Sequence, residues 1–412
     1  MNHSIKSRKF GLYRSVLLGS LAIATFSTIP AHAHTYVIVH QFNDGSIIND
    51  GKSPYQPPVM GPDGNFYGVT QEGGSANYGI AYVMTPSGTV SVLHHFGVAP
   101  SEGRNPTAGL TLGSDGNFYG VTVAGGSASY GTVFKMTPSG AVTDLHSFGS
   151  HLIPSGGEMV PDGCWPANSP LVSASDGNIY GTTRMTCGDL SGGRFYRINV
   201  ATGVYTVRNA WFGKAVRASG PQGIVQNAHG NFIGVSSNGG SGTDTGTIFD
   251  ISPDGLGWVE YQLPPIANGP RWPLGAVSTG SVDGYVYAVS GSNTGLGDLF
   301  KVPQNAINQV TVLHRFSDGS VANDGMMPAA APIQLSDGSL IGTAAFGGQY
   351  GGGVIYEISA SGVYSIVHQF GSVSNDGNLP FCLLYKAPDG NIYGTTWAGG
   401  TSGAGVIFKL VP

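Results

Sequence analysis

The sequence predicts an all-β chain folded as a seven-bladed β-propeller with four antiparallel strands to a blade, and three observations carry that expectation. First, the stretch Asp63–Thr70, Asp-Gly-Asn-Phe-Tyr-Gly-Val-Thr, returns letter for letter at Asp115–Thr122 and with two changes at Asp389–Thr396. Weaker echoes at Asp176–Thr183, His229–Ser236, Asp283–Ser290 and Asp337–Ala344 make seven copies, about 52 to 61 residues apart, a period that belongs to propellers, solenoids or arrays. Second, each unit holds four short β-prone runs joined by hairpin-length turns, which is one blade. Third, the mature chain begins with a run that matches the fourth strand of the unit and ends on one that matches the third. Pairing the two removes two exposed sheet edges, which would otherwise invite aggregation.

The elements follow in chain order. Residues 1–33 are expected to be a secretory signal. Lys6, Arg8, Lys9 and Arg14 form a basic start, Val16–Ala24 is apolar but too short to span a bilayer, and Ala31-His32-Ala33 offers the cleavage pattern. Residues 34–412 are then a single propeller domain, its last blade built from 35–42 plus 380–412. Cleavage removes four of the 18 Lys and Arg residues and none of the 23 Asp and Glu, leaving a balance near −9. That argues against nucleic acid as a partner. No later run is long and apolar enough for a transmembrane segment, and no C-terminal sorting tail is expected after Val411-Pro412. The expected location is secreted or periplasmic.

One unit reads most clearly from Pro106 to Phe148. Ala108–Leu112 is a short apolar run, Ser114–Asn117 a tight turn, and Phe118–Val123 a β-branched and aromatic strand. A glycine-rich loop at 125–131 follows, then Thr132–Met136, the turn Thr137–Gly140, and Ala141–Phe148. Glycine in Asp-Gly-Asn can take φ > 0 where a Cβ would clash. The aspartate of that turn offers one carboxylate, and calcium wants six to eight oxygens, so no metal is expected there. His40, His94, His146, His314 and His368 share one place in successive fourth strands, and a structural bond to a neighbouring loop is expected of them. Tyr67, Tyr119, Tyr180, Tyr287 and Tyr393 are expected to pack blade against blade.

The chain departs from its own pattern between blades 2 and 3, and blades 3 to 5 are the most diverged. Gly149–Pro166 is longer than its equivalents and carries His151, Glu158, Asp162, Cys164 and Trp165. Arg184, Arg194, Lys214, Arg217, Arg271 and Trp272 replace repeat residues nearby. Cys164 and Cys187 are expected to form a disulfide in an oxidising compartment, with Cys382 a buried free thiol.

The units resemble the tandem repeats called GloVer, through "DGNxYGTT", "GxxFKxTPSG" and "LHSF" segments that cover nearly all of residues 35–412. The Asp-Gly-Asn-x-Tyr-Gly core is also similar to the propeller repeats of bacterial sensor proteins. The resemblance implies the fold and supplies no established activity, cofactor or catalytic residue.

Long, variable loops on a rigid scaffold are where sites tend to lie. The ligand site is expected at the channel mouth on the long-loop face, with Trp165, Arg184, Arg217, Arg271, Trp272 and Trp397 as binding residues. Aromatic platforms suit sugar rings and arginines suit uronate carboxylates, so the first reading is a recognition propeller for a carbohydrate or protein ligand. A polysaccharide lyase or glycoside hydrolase at the same mouth is the alternative, with His151, Tyr130 and Glu158 as catalytic candidates and Glu72 and Glu102 as further carboxylates. A structural surface or matrix protein is the third. No Ser-His-Asp motif, zinc spacing or phosphate loop is present, so no metal or cofactor is expected.

Overall fold

The computed structural model describes residues 33–155, 158–187, 192–209, 219–239, 244–263, 270–291 and 296–412. The expected signal segment lies outside them, apart from Ala33. Among the described residues every regular element is a β-strand, and no helix is long and apolar enough to cross a membrane. Seven small antiparallel sheets stand in a ring as a seven-bladed β-propeller. Second strands lie at Phe66–Thr70, Phe118–Gly125, Ile179–Met185, Phe232–Asn238, Tyr285–Gly291, Leu340–Ala344 and Ile392–Thr396, in blades 1 to 7. Thr35–Gln41 pairs antiparallel with Val406–Val411, so the seventh sheet joins the two ends of the described chain.

The letters of the repeat are explained by one aromatic contact. In six blades a glycine of the second strand pairs directly with an aromatic residue of the third: Gly68 with Tyr82, Gly120 with Phe134, Gly181 with Tyr196, Gly234 with Phe249, Gly342 with Tyr356 and Gly394 with Phe408; blade 5 has Ala288 opposite Phe300. The ring lies over the glycine so closely that a Cβ on Gly120 would stand 2.4 Å from Phe134. The same ring receives the phenylalanine of His-x-Phe from the preceding blade. Phe42 meets Tyr82 at 5.5 Å, Phe96 meets Phe134 at 5.2 Å and Phe370 meets Phe408 at 5.5 Å between centroids. Glycine therefore makes room for the ring that carries the blade-to-blade contact, an aromatic cover of a strand glycine.

Both polar expectations acquire partners. In the Asp-Gly-Asn turn, Asp63 accepts from Asn65 and from the Tyr67 hydroxyl at 2.8 Å, and Asp115, Asp176 and Asp389 repeat the arrangement with Tyr119, Tyr180 and Tyr393. Each carboxylate is thus spent on its own turn, while the tyrosine rings pack across blades, Tyr67 on Phe118 at 4.3 Å. The recurring histidines bond a carboxylate in the loop that leads to the next blade. His40 faces Asp50, His94 Glu102, His314 Asp324 and His368 Asp376, at 2.7 to 3.3 Å. Where the next blade's fourth strand offers a tyrosine, its ring stacks on the histidine, as Tyr36 does on His368 at 3.7 Å while donating to Asp376. Burial works to raise the Asp376 pKa, but the bonds from His368, Tyr36 and the backbone outweigh it and hold the carboxyl below its usual range.

The innermost strand departs from the expected one. It starts at the Asp-Gly turn, as Gly51–Lys52 and Gly103–Pro106 show, and resumes only at Val59–Met60 and Thr111–Leu112; Ala108–Leu110 is not strand. An X-Pro step stands at this place in all seven blades; proline cannot donate to the ladder, and in blades 4 and 5 the strand runs through it with a register shift. Ser53, Asn105, Trp165, Gly220, Trp272, Met327 and Leu379 each precede a proline and hold φ between 49° and 63°. Each donates its N–H to a carbonyl of the preceding blade: to Ala404, Tyr78, Tyr130, Gly192, Thr245, Leu296 and Gly352, at 2.7 to 3.3 Å. A left-handed conformation costs a residue with a Cβ about 1–2 kcal/mol, and the inter-blade bond fixes it there.

Two outcomes test this scheme. Leu379→Ile puts a β-branched residue into the left-handed region and is expected to lower unfolding stability by about 1–3 kcal/mol, while Leu379→Asn is tolerated; urea denaturation of both variants measures the difference. Deleting residues 34–42 strips the seventh sheet of its outer strand and should lower the thermal midpoint far more than loss of a terminal tail; calorimetry reads it, and an unchanged midpoint would contradict the scheme.

Candidate functional site

The X-Pro step aims particular side chains at one end of the central channel, where the second strands finish. The residues that follow these prolines include Tyr55 in blade 1, Thr107 in blade 2, Ala167 in blade 3 and Phe381 in blade 7. Tyr55 lies parallel to Phe381 with centroids 6.0 Å apart, and Phe381 meets Phe346 edge-on at 6.0 Å. On its other side Tyr55 bonds Asn168 and feels the charge of Arg184, both in blade 3. Burial pushes the Tyr55 hydroxyl pKa up, against the pull of Arg184 and Asn168. Thr107 donates to Asn168 Oδ1 at 3.1 Å, and Trp397 Nε1 donates to Gln71 Oε1 at 3.2 Å. The Nε of Arg184 is shielded from solvent and bonds to none of the described residues.

Trp165 and Trp272 occupy the left-handed position itself, in blades 3 and 5, and stay 40% and 42% exposed. The joint needs only their backbone, since blade 4 fills the same position with Gly220. Trp165 stands edge-on to Tyr130 with centroids 5.9 Å apart, and Trp272 Nε1 donates to the Asp244 carbonyl at 3.0 Å. Arg271 directly precedes Trp272 in its strand. Between the two tryptophans, Gln222 Nε2 and Ser237 Oγ both donate to the Gly220 carbonyl, at 3.1 and 3.3 Å.

The structure thus gathers Trp165, Arg184, Arg271, Trp272 and Trp397 at strand ends on one face. Arg217, Lys214 and the side chain of Glu158 lie outside the described residues. Tyr130 stands beside Trp165. His151 groups instead with His146 and Asp162 toward the outer strands. Within the longer connection Gly149–Pro166, Asp162 is the regular Asp-Gly-x-X-Pro carboxylate, and the added residues fall between it and His146. Glu102, offered above as a further carboxylate, is taken by His94 and by the N–H groups of Val98 and Ala99. Arg194 is 2% exposed and donates to the carbonyls of Pro161 and Gly193, tying the long loop to its blade. Cys164 and Cys187 form a disulfide with Cα atoms 5.3 Å apart. Cys382 is a buried thiol, its pKa pushed up to about 11 by burial.

Tyr55, Asn168, Phe346 and Phe381 were missed in the sequence. The signal was present in the recurrent X-Pro pairs, which align Tyr55 with Phe381 once they are counted as a repeat feature. Two other hollows lie elsewhere. The opposite channel end is an apolar cavity of about 330 Å³ walled by Met60, Leu110, Leu112, Leu384 and Tyr385. A polar hollow of about 520 Å³ between blades 4 and 5 holds Asp250, whose pKa burial raises and whose oxygens take Asn227 and Asn231.

None of the curated proteins matches the sequence. Among solved structures the chain is similar to the extracellular domains of two proteins assigned as hybrid two-component systems of B. thetaiotaomicron. One has a TM-score of 0.56 at 12% identity over 92% of this chain and 41% of that one; the other has 0.54 at 10% over 91% and 39%. The chain therefore spans about two fifths of their length. A gluconolactonase of Xanthomonas campestris gives a TM-score of 0.45 at 10% identity over 92% and 89% of the two chains. Identities this low speak for the propeller fold alone. The Gloeobacter/Verrucomicrobia repeat matches residues 19–249 and 220–412, and the chain belongs to that family.

Proposed function

We propose that this protein is an extracytoplasmic recognition propeller that binds a carbohydrate at the channel mouth, with Trp165 and Trp272 as stacking faces. The observation that carries the reading is their placement. Two large aromatic side chains stand half in solvent at a strained backbone position that the fold fills elsewhere with glycine, serine, asparagine, methionine or leucine. Large exposed aromatic rings, apolar on their faces and able to donate from one edge, are enriched at binding surfaces. Tyr55, Trp397, Arg184 and the amides of Gln71 and Asn168 complete a surface of rings and hydrogen-bonding groups. That chemistry fits sugar rings, and the arginines fit a uronate carboxylate through charge-assisted bonds. The disulfide supports an oxidising location.

A glycan array on the mature protein, followed by calorimetry on the best ligand, tests the reading. Trp165→Asn and Trp272→Asn keep a residue that tolerates the left-handed backbone and should each weaken binding at least about tenfold, or about 1.4 kcal/mol, with little change in thermal midpoint. Lys135→Ala, on a repeat position, should bind as wild type. Wild-type affinity in both tryptophan variants would move the site elsewhere.

A further inference from the structure

We propose that His146, His151 and Asp162 form a site for a single divalent transition-metal ion of the zinc type, at the rim between blades 2 and 3. Their ligand atoms all lie within 4.8 Å of one another. Asp162 Oδ2 stands 2.9 Å from His146 Nε2 and 3.8 Å from His151 Nδ1. Two imidazoles and a carboxylate that leave one position to solvent are a donor set that zinc accepts, at about 2.0–2.2 Å per bond.

The repeat supplies its own comparison. His40, His314 and His368 each hydrogen-bond their aspartate through Nε2. His146 occupies the same position, its side chain only 7% exposed and its Nε2 cut off from solvent, yet that nitrogen makes no hydrogen bond to Asp162 or to any other group. The two atoms thus lie 2.9 Å apart without an aligned hydrogen bond, and a cation held by both would satisfy each of them. Blade 2 is also the one described place where the loop between histidine and aspartate adds a second histidine within reach. The His151 side chain is 73% exposed, and at rest its Nδ1 contacts Ser150 Oγ at 2.8 Å, a bond that the metal would replace.

The supports that metal ligands require are in place. Asp162 Oδ1 accepts from the Gly149 N–H at 2.8 Å, which fixes the carboxylate and leaves Oδ2 for the ion. Tyr205 stacks on His146 at 3.7 Å with an interplanar angle of 1° and donates to the Asp162 carbonyl at 3.0 Å, so both ligands are held by one ring. Arg194 faces Asp162 from blade 3 and interacts with its charge, while its guanidinium also donates to the Pro161 and Gly193 carbonyls. A bound ion would lock the hairpin Leu152–Ser155 and Glu158–Pro161 onto the propeller body, independently of any ligand at the channel mouth.

The test uses the mature protein and zinc or cobalt alone. Zinc titrated against a chromogenic chelator should show one equivalent bound, raising the thermal midpoint, and cobalt should give the strong visible bands of a four-coordinate site. His151→Ala changes an exposed residue and should fold as wild type, yet lose at least about 100-fold in zinc affinity, because even outer partners of a ligand are worth 10–100-fold. His229→Ala, at an exposed histidine elsewhere, should leave binding intact. Absence of binding at micromolar zinc, or His151→Ala binding as tightly as wild type, would overturn the site.

Discussion

The ring rests on one backbone hydrogen bond made seven times. In every blade the residue before the innermost proline turns into the left-handed region and gives its N–H to the preceding blade's loop carbonyl. A propeller must hold its wedges together at the centre, where sheets approach and side chains have least room. A backbone bond meets that need without specifying any side chain. The proline then lies against a glycine of the same neighbouring loop: Pro54 on Gly405, Pro106 on Gly79, Pro221 on Gly193, Pro273 on Gly246, Pro328 on Gly297 and Pro380 on Gly353. Those glycines hold positive φ as well, and a Cβ there would strike the proline ring. Two unusual residue types, one from each blade, thus make a single joint.

Outward from that joint the contacts become side-chain specific. Midway along the blade, a glycine lets an aromatic ring lie flat on the second strand and receive the phenylalanine of the blade before. At the rim, a histidine, a carboxylate and in places a tyrosine from the following blade close the outer seam. The three layers explain why charge is so scarce, at 10% of residues. Many of the carboxylates that exist are spent in turns and seams, with histidine, tyrosine, asparagine or backbone partners.

The fold was legible because its repeat carries turn chemistry and strand pattern in the same letters. The spacing of Asp-Gly-Asn-x-Tyr-Gly counts the blades, and glycine opposite an aromatic residue sets strand register. The X-Pro joint was not legible as a motif, because the residue that bears the strain differs in every blade except 3 and 5. Residues added ahead of Asp162 lengthen the approach to an ordinary Asp-Gly-x-X-Pro turn, which aligns with those at Asp50, Asp324 and Asp376. The candidate site was half visible. Trp165, Arg184 and Trp272 stand out as departures from the repeat, whereas Tyr55 and Phe381 come from opposite ends of the chain and meet only when the first and seventh blades lie side by side.

The joint also accounts for where specificity can arise. A position whose backbone is indispensable and whose side chain is not can vary in sequence while its location stays fixed to the mouth. Serine or asparagine there gives a small polar rim, glycine leaves a gap, and tryptophan builds a wall. In this chain the walls stand at blades 3 and 5 with the gap between them at Gly220, and the disulfide holds the first wall's strand to the loop beside it. Because the strain is present in all seven blades, it is a cost of assembling the ring. What distinguishes blades 3 and 5 is the size of the exposed ring carried on that shared backbone, a feature that the joint itself does not require.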